Sequence, residues 1–130
     1  MNAENEVKRV LDLLAEAFAD KDIEKYKMLY EDHPNLVIYG SQKGEKWTNL
    51  AEYIKSVSNN WELVDNLELT YDWQRIDVNP KGTIAWIATD MCFTTTSGGQ
   101  NMKIPGRFTA VLVKSNTKWR MVQSHFSMEH

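Results

Sequence analysis

The sequence predicts an α+β fold, and three observations carry that reading. Apolar residues recur at helical spacing in three separate segments of the first half of the chain. From Leu63 onward the period drops to two, through four long segments separated by turn residues. Helices gathered at one end and consecutive strands at the other define α+β, not an alternating α/β chain. At 130 residues the chain fits one domain, and 1–130 reads as a single unit without repeats, linkers or low-complexity segments.

Residues 4–19 read as the first helix. Val7, Val10, Leu11, Leu14 and Phe18 form one apolar stripe, and Glu4 and Glu6 suit the start of its dipole. The acidic break Asp20-Lys21-Asp22 ends it, and Asp22 caps a second, shorter helix with Ile23, Tyr26, Leu29 and Tyr30 on its buried face. His33-Pro34 closes that helix, because a residue before proline avoids helical geometry. Leu36 to Tyr39 reads as a short strand stopped by Gly40, and 41–46 as a polar loop. Thr48 or Asn49 caps a third helix; Glu52 completes the arrangement if Asn49 is the cap. Leu50, Tyr53, Ile54 and Val57 are its buried side.

Leu67, Leu69, Tyr71 and Trp73 then alternate with polar residues as a half-exposed strand. Asn79-Pro80-Lys81-Gly82 turns the chain into a strand over 83–96, and Ser97 to Gln100 turns it back. The last hairpin turns at Ser115-Asn116-Thr117-Lys118. Its first strand puts Phe108, Ala110 and Leu112 on one face and Arg107, Thr109, Val111 and Val113 on the other. Strict alternation in the second sets Trp119, Met121, Gln123 and His125 against Arg120, Val122, Ser124 and Phe126. Both faces carry large apolar groups, so one should meet the chain's own helices and the other a second subunit. The expected homodimer face is Arg107, Thr109, Val111, Trp119, Met121, Gln123 and His125. A one-residue slip or bulge would exchange the faces.

Composition excludes several classes. The apolar content is 42%, the charged content 25% and the net charge -3, with no basic stripe among the aromatics, which argues against nucleic acid. No apolar run approaches the length of a membrane span. The charged N-terminal residues lack an apolar signal region, so a cytoplasmic location is expected. The single cysteine, Cys92, excludes an intrachain disulfide and reads as an inert buried thiol. No His/Cys/Asp cluster has metal spacing, no Gly-rich loop precedes a helix, and no nucleophile elbow occurs, so neither metal nor cofactor is expected. Glu129 and His130 read as a frayed end.

The element order, ending in GRFTAVLVK and KWRMVQSHFS, resembles the nuclear transport factor 2-like superfamily. Within it the chain is most similar to the SnoaL-like branch, which includes the association domain of calmodulin-dependent kinases. FADKDIEKYKMLYEDHPNLVIYG matches the acidic break, short helix and strand of such proteins. The resemblance implies a cystatin-like cone: three N-terminal helices packed in a strongly curved antiparallel sheet, a cavity open at one end, and pairing through the sheets. It also implies absences. Ketosteroid-isomerase-like members need a carboxylate, a tyrosine and a second acid at positions that here are Tyr39, Leu14 and Thr109 or Ala110. Kinase association domains line the cavity with arginines at positions that here are Ala88, Ala110 and Phe126.

On the same resemblance the inward side of strand 83–96 is Ile84, Trp86, Ala88, Asp90 and Cys92. Asp90 would then sit in apolar surroundings that suit a general base, with Tyr39 as a donor. Tyr39, Trp47, Tyr53 and Trp86 would line the pocket for a small, flat, apolar ligand, alongside Phe108, Ser124 and Phe126. His125 falls on the expected interface, not in the pocket. The leading reading is a small-molecule-binding protein. The alternatives are a proton-transfer enzyme of isomerase, cyclase or hydrolase type on a small hydrophobic substrate, and an oligomerisation scaffold. A scaffold should lack any opening above roughly 300 Å³.

Overall fold

The structure, a computed structural model, describes residues 2–128; the expected frayed end at Glu129 and His130 lies outside them. Three helices, α1 (Ala3–Asp20), α2 (Ile23–Lys27) and α3 (Leu50–Trp61), accompany six strands. These are β1 (Val37–Tyr39), β2 (Lys46–Trp47), β3 (Asn66–Val78), β4 (Ile84–Ser97), β5 (Gln100–Ser115) and β6 (Lys118–Met128). The helix starts follow from side-chain caps. Asn2 accepts from the Asn5 N–H at 2.8 Å, Asp22 from Lys25 at 3.1 Å and Asn49 from Glu52 at 3.0 Å. Asn49, not Thr48, is therefore the third cap. Among the described residues, no helix is long and apolar enough to cross a membrane.

Helix α2 ends at Lys27, well before His33-Pro34, because the chain leaves it to dock on β6. The Met121 N–H donates to Leu29 O at 2.8 Å and the Glu31 N–H to Met121 O at 2.9 Å. The helices pack in one curved sheet of order β2-β1-β6-β5-β4-β3. One join departs from the antiparallel expectation: β1 runs parallel to β6, pairing Ile38 with Ser124. Strands so far apart in the chain can pair in parallel because α3 and the rest of the sheet provide the long crossover. Strand β2, inside the expected polar loop, is a two-residue hairpin partner of β1 and too short to show a period.

Two bulges decide which side chains face inward. In β6, Val111 pairs with Gln123 but Leu112 pairs with Met121, so Val122 is the extra residue. Trp119 (6% exposed) and Met121 (0%) therefore point inward together with Ser124 and Phe126, while Gln123 and His125 point out. This corrects the expected dimer face, which included Trp119 and Met121. In β3, Tyr71 pairs with Met91 and Trp73 with Asp90, leaving Asp72 as the extra residue and turning Trp73 outward.

Strand β4 reverses the expected parity throughout. Ala85, Ile87, Thr89, Met91 and Phe93 are buried; Ile84, Trp86 and Asp90 are exposed, and Ala88 and Cys92 are half-buried on that outer side. Both parities of β4 are apolar enough to serve as core, so alternation cannot choose between them. The register does: Ile87 lies opposite Ala110 and Thr89 opposite Phe108, both inward on β5.

Trp119 also ties the last hairpin to α1. Its indole N–H donates to Glu6 Oε1 at 3.0 Å, and Lys114 Nζ donates to the same oxygen at 3.1 Å. These two hydrogen bonds, Trp119 first, hold the Glu6 carboxyl below its ordinary pKa. A lowered folded-state pKa contributes stability above the unfolded value that is lost as pH falls through the folded one. Glu6→Gln should therefore be less stable than the parent at about pH 7 and equal to it at about pH 2, as urea midpoints at each pH would show.

Candidate functional site

Phe18 of α1, Trp47 of β2, Tyr53 and Trp61 of α3, Phe93 of β4 and Phe126 of β6 line one cavity of ≈ 230 Å³. The rings hold one another through offset and edge contacts: Phe18–Trp61 and Trp47–Tyr53 at 5.1 Å between centroids, Phe18–Phe93 at 5.5 Å, Phe93–Phe126 at 5.9 Å. On α3, Tyr53, Val57 and Trp61 follow at i, i+4 and i+8, so one helical stripe supplies one wall. Among the described residues, the polar part of the lining is neutral (Ser41, Ser56, Asn60, Thr95) except for one carboxylate, Glu45.

Backbone chemistry places that carboxylate. In the β1–β2 hairpin the Gly40 N–H donates to Glu45 O at 2.9 Å, and the Gln42 N–H donates to Glu45 Oε1 at 2.7 Å. The side chain thereby folds over Gly40, where an added Cβ would stand 2.5 Å from Oε1 and 2.9 Å from the Glu45 Cβ. Glycine at 40 is required for that approach.

Behind the aromatic wall runs a buried chain of hydroxyls. Tyr53 and Tyr26 share a hydrogen bond at 2.6 Å, Tyr26 and Tyr30 approach to 3.4 Å, and Tyr30 reaches Ser124 Oγ at 2.8 Å. Burial pushes the phenols of Tyr26, Tyr30 and Tyr53 above their ordinary pKa, so all three stay protonated at physiological pH.

The sequence-predicted residues divide three ways. Trp47, Tyr53 and Phe126 line the cavity. Phe108 and Ser124 face inward but stand behind the wall, Phe108 stacked on Phe126 at 4.4 Å and Ser124 holding Tyr30. Tyr39, Trp86 and Asp90 lie on the outer sheet face, away from the cavity. Tyr39 packs on His125 at 5.6 Å, Trp86 is 49% exposed, and Asp90 lines a separate recess of ≈ 390 Å³ with Asp72 and Arg107. The apolar surroundings that motivated Asp90 as a base, with Tyr39 as its donor, are thus absent, because the parity of β4 is reversed. Phe18, Trp61, Phe93 and Glu45 are among the lining residues that sequence reasoning missed. The α3 spacing could have found Trp61, whereas Phe93 was hidden by parity and Glu45 by its loop. A wider groove of ≈ 660 Å³ between α1, α2 and the β5–β6 turn is flanked by charges of both signs, Glu6, Arg9, Lys25 and Arg120 among them. Among the described residues no cluster of His, Cys, Asp and Glu could hold a metal.

A curved sheet wrapped on three helices, with an aromatic cavity, is the nuclear transport factor 2-like architecture. Solved structures of that class superpose on nearly the whole chain. A nuclear transport factor 2-like superfamily protein from Salmonella enterica serovar Typhimurium is 19% identical, with TM-score 0.85, covering 98% of this chain and 92% of its own. A Xanthomonas campestris protein, provisionally named a calcium/calmodulin dependent protein kinase II association domain, is 20% identical (TM-score 0.81; 95% and 86% covered). A Novosphingobium aromaticivorans protein, provisionally named a scytalone dehydratase, is 11% identical (TM-score 0.83; 97% and 83% covered). Residues 7–129 match the SnoaL-like domain, and the chain belongs to that family. No curated protein matches it.

The tyrosine chain has a measurable signature. A phenol whose folded pKa is raised contributes stability below the unfolded value, near pH 10, that is lost as pH rises beyond it. Tyr71, half-buried with its hydroxyl on Leu11 O at 2.8 Å, is shifted in the same direction. In a Tyr39→Phe background, which removes the exposed tyrosine, tyrosinate absorbance should therefore rise together with cooperative unfolding above about pH 10 instead of preceding it. Tyr26→Phe strips Tyr53 of its buried partner and should cost about 1–3 kcal/mol in urea unfolding.

Proposed function

We propose that this SnoaL-like protein binds a small, largely apolar molecule in the aromatic cavity and acts as a homodimer paired through its outer sheet face. One observation carries the binding reading. Six rings from five elements line one cleft of ≈ 230 Å³, open to solvent, that their own side chains do not fill. Filling it with a ligand of one or two rings would bury apolar surface without remodelling the wall. The proton-transfer alternative loses its assigned groups, since neither Asp90 nor Tyr39 lines the cavity. The dehydratase name of the Novosphingobium protein, at 11% identity, does not supply replacements. The scaffold reading has one observation in its favour: the cavity is smaller than the roughly 300 Å³ usual for ligand sites.

Two measurements separate these readings. Native mass spectrometry of protein purified from its own host should show a retained small molecule. Ser56→Trp, which projects into the cavity, should abolish that retention while changing stability by less than about 3 kcal/mol. A protein that never carries or takes up an apolar small molecule is a scaffold.

The dimer rests on the outer face as the bulges leave it. Trp86, Val111 and Gln123 form one cross-strand row and Ala88, Thr109 and His125 the next, with Arg107 beyond them. Trp73 (52% exposed), Trp86, Ile84 and Tyr39 leave large apolar side chains in water on this face, which pairing would bury. Sedimentation at micromolar concentration should return a dimer for the parent and a monomer for Trp86→Arg. A monomeric parent refutes the pairing.

A further inference from the structure

The ligand's charge can be read from the same cavity, an inference that rests on the binding reading above. Among the described residues, Glu45 is the only charged one in the lining, and none of them there is a lysine, arginine or histidine. Its carboxylate is half-buried, and its one protein donor among the described residues is the Gln42 N–H on Oε1, so acceptor capacity remains for a ligand. The neighbouring cations are directed elsewhere. Lys43 and Lys46 are exposed and outside the lining. Lys21 Nζ donates to the backbone carbonyls of Val64 and Asp65.

Ring electrostatics act in the same direction. The faces of aromatic rings are negative, and an organic cation held near tryptophan or tyrosine within about 6 Å is attracted to them. Trp47 and Tyr53 pack together 5.1 Å apart in the wall that Glu45 adjoins, with Trp61 on the same helix stripe as Tyr53. An anion entering the site would meet the carboxylate and the ring faces with only neutral donors to offset them. A neutral ligand would leave the half-buried carboxylate without a counter-charge and partly stripped of water.

The geometry points to an organic cation, an alkyl- or arylammonium with an apolar body, as the ligand class of this cavity, its ammonium beside Glu45 and its body among the rings.

Three probes of similar size test this on the unmodified protein: phenyltrimethylammonium, its uncharged isostere tert-butylbenzene, and benzoate. Titration followed through the tryptophan indole N–H NMR signals reads binding in the cavity directly. Phenyltrimethylammonium should bind at least about tenfold tighter than tert-butylbenzene, and benzoate weakest of all. Glu45→Gln keeps an oxygen for the Gln42 N–H and should bring the cation's advantage down to about threefold or less. Equal or tighter binding of tert-butylbenzene or benzoate overturns the cation assignment and leaves the pocket standing. Failure of all three to bind overturns the pocket as well. An advantage that survives unchanged in Glu45→Gln removes Glu45 from the site.

Discussion

The single extra residue in β6, Val122, is the constraint on which the interior depends. Without it, alternation would send Trp119 and Met121 to the face opposite Ser124 and Phe126. With it, all four turn inward on one strand, and each is used. Trp119 anchors α1 through Glu6, and the backbone of Met121 receives the chain as it leaves α2. Ser124 terminates the tyrosine chain, and Phe126 reaches the cavity. A bulge also increases local twist, which helps a sheet wrap helices instead of lying flat against them.

The cavity exists because its wall is rigid on both sides. Rings in mutual contact resist collapse into the space they enclose, since each would have to leave a favourable neighbour. Behind them, the Tyr53–Tyr26–Tyr30–Ser124 hydroxyls satisfy one another where no water is needed. A buried polar chain is stable only when every member has a partner, and among the described residues no buried side-chain nitrogen or oxygen lacks one. Tyr53 belongs to both systems, ring to the cavity and hydroxyl to the chain. It couples the shape of the site to the integrity of the core.

Sequence patterning reached the helices, the cap at Asp22, Asn49 as one of two candidates for the third cap, and the four long strands, because each is a local property of period and capping. It grouped Phe108, Ala110 and Leu112 on one face, which is the buried one, although Val111 and Val113 make the opposite parity partly apolar too. It went wrong wherever facing is not local. Strand β4 is apolar on both parities, and only its register with β5 selects Ile87 and Phe93 over Trp86 and Asp90. A bulge leaves no mark in alternation when both faces are apolar, so Trp119 and Met121 were assigned to the wrong side; in β3 the apolar/polar alternation runs unbroken across the extra residue Asp72, so Trp73 was too. Strand β2 and the loop before it were unreadable for a different reason. Two paired residues have no period, and the position of Glu45 comes from backbone bonds to Gly40 and Gln42.

This separation has a functional consequence. The size and shape of the cavity are built from core rings, whose replacement would cost packing throughout the cone. Its charge comes from one loop side chain held by backbone N–H groups, whose replacement would cost the core almost nothing. Affinity for an apolar body and selectivity for its charge are therefore carried by different parts of the chain. Fold-level likeness at 11–20% identity to proteins with unrelated names is what such an arrangement allows. On the proposed reading, the cone sets the shape of what is held, while the hairpin between β1 and β2 sets which charge it bears.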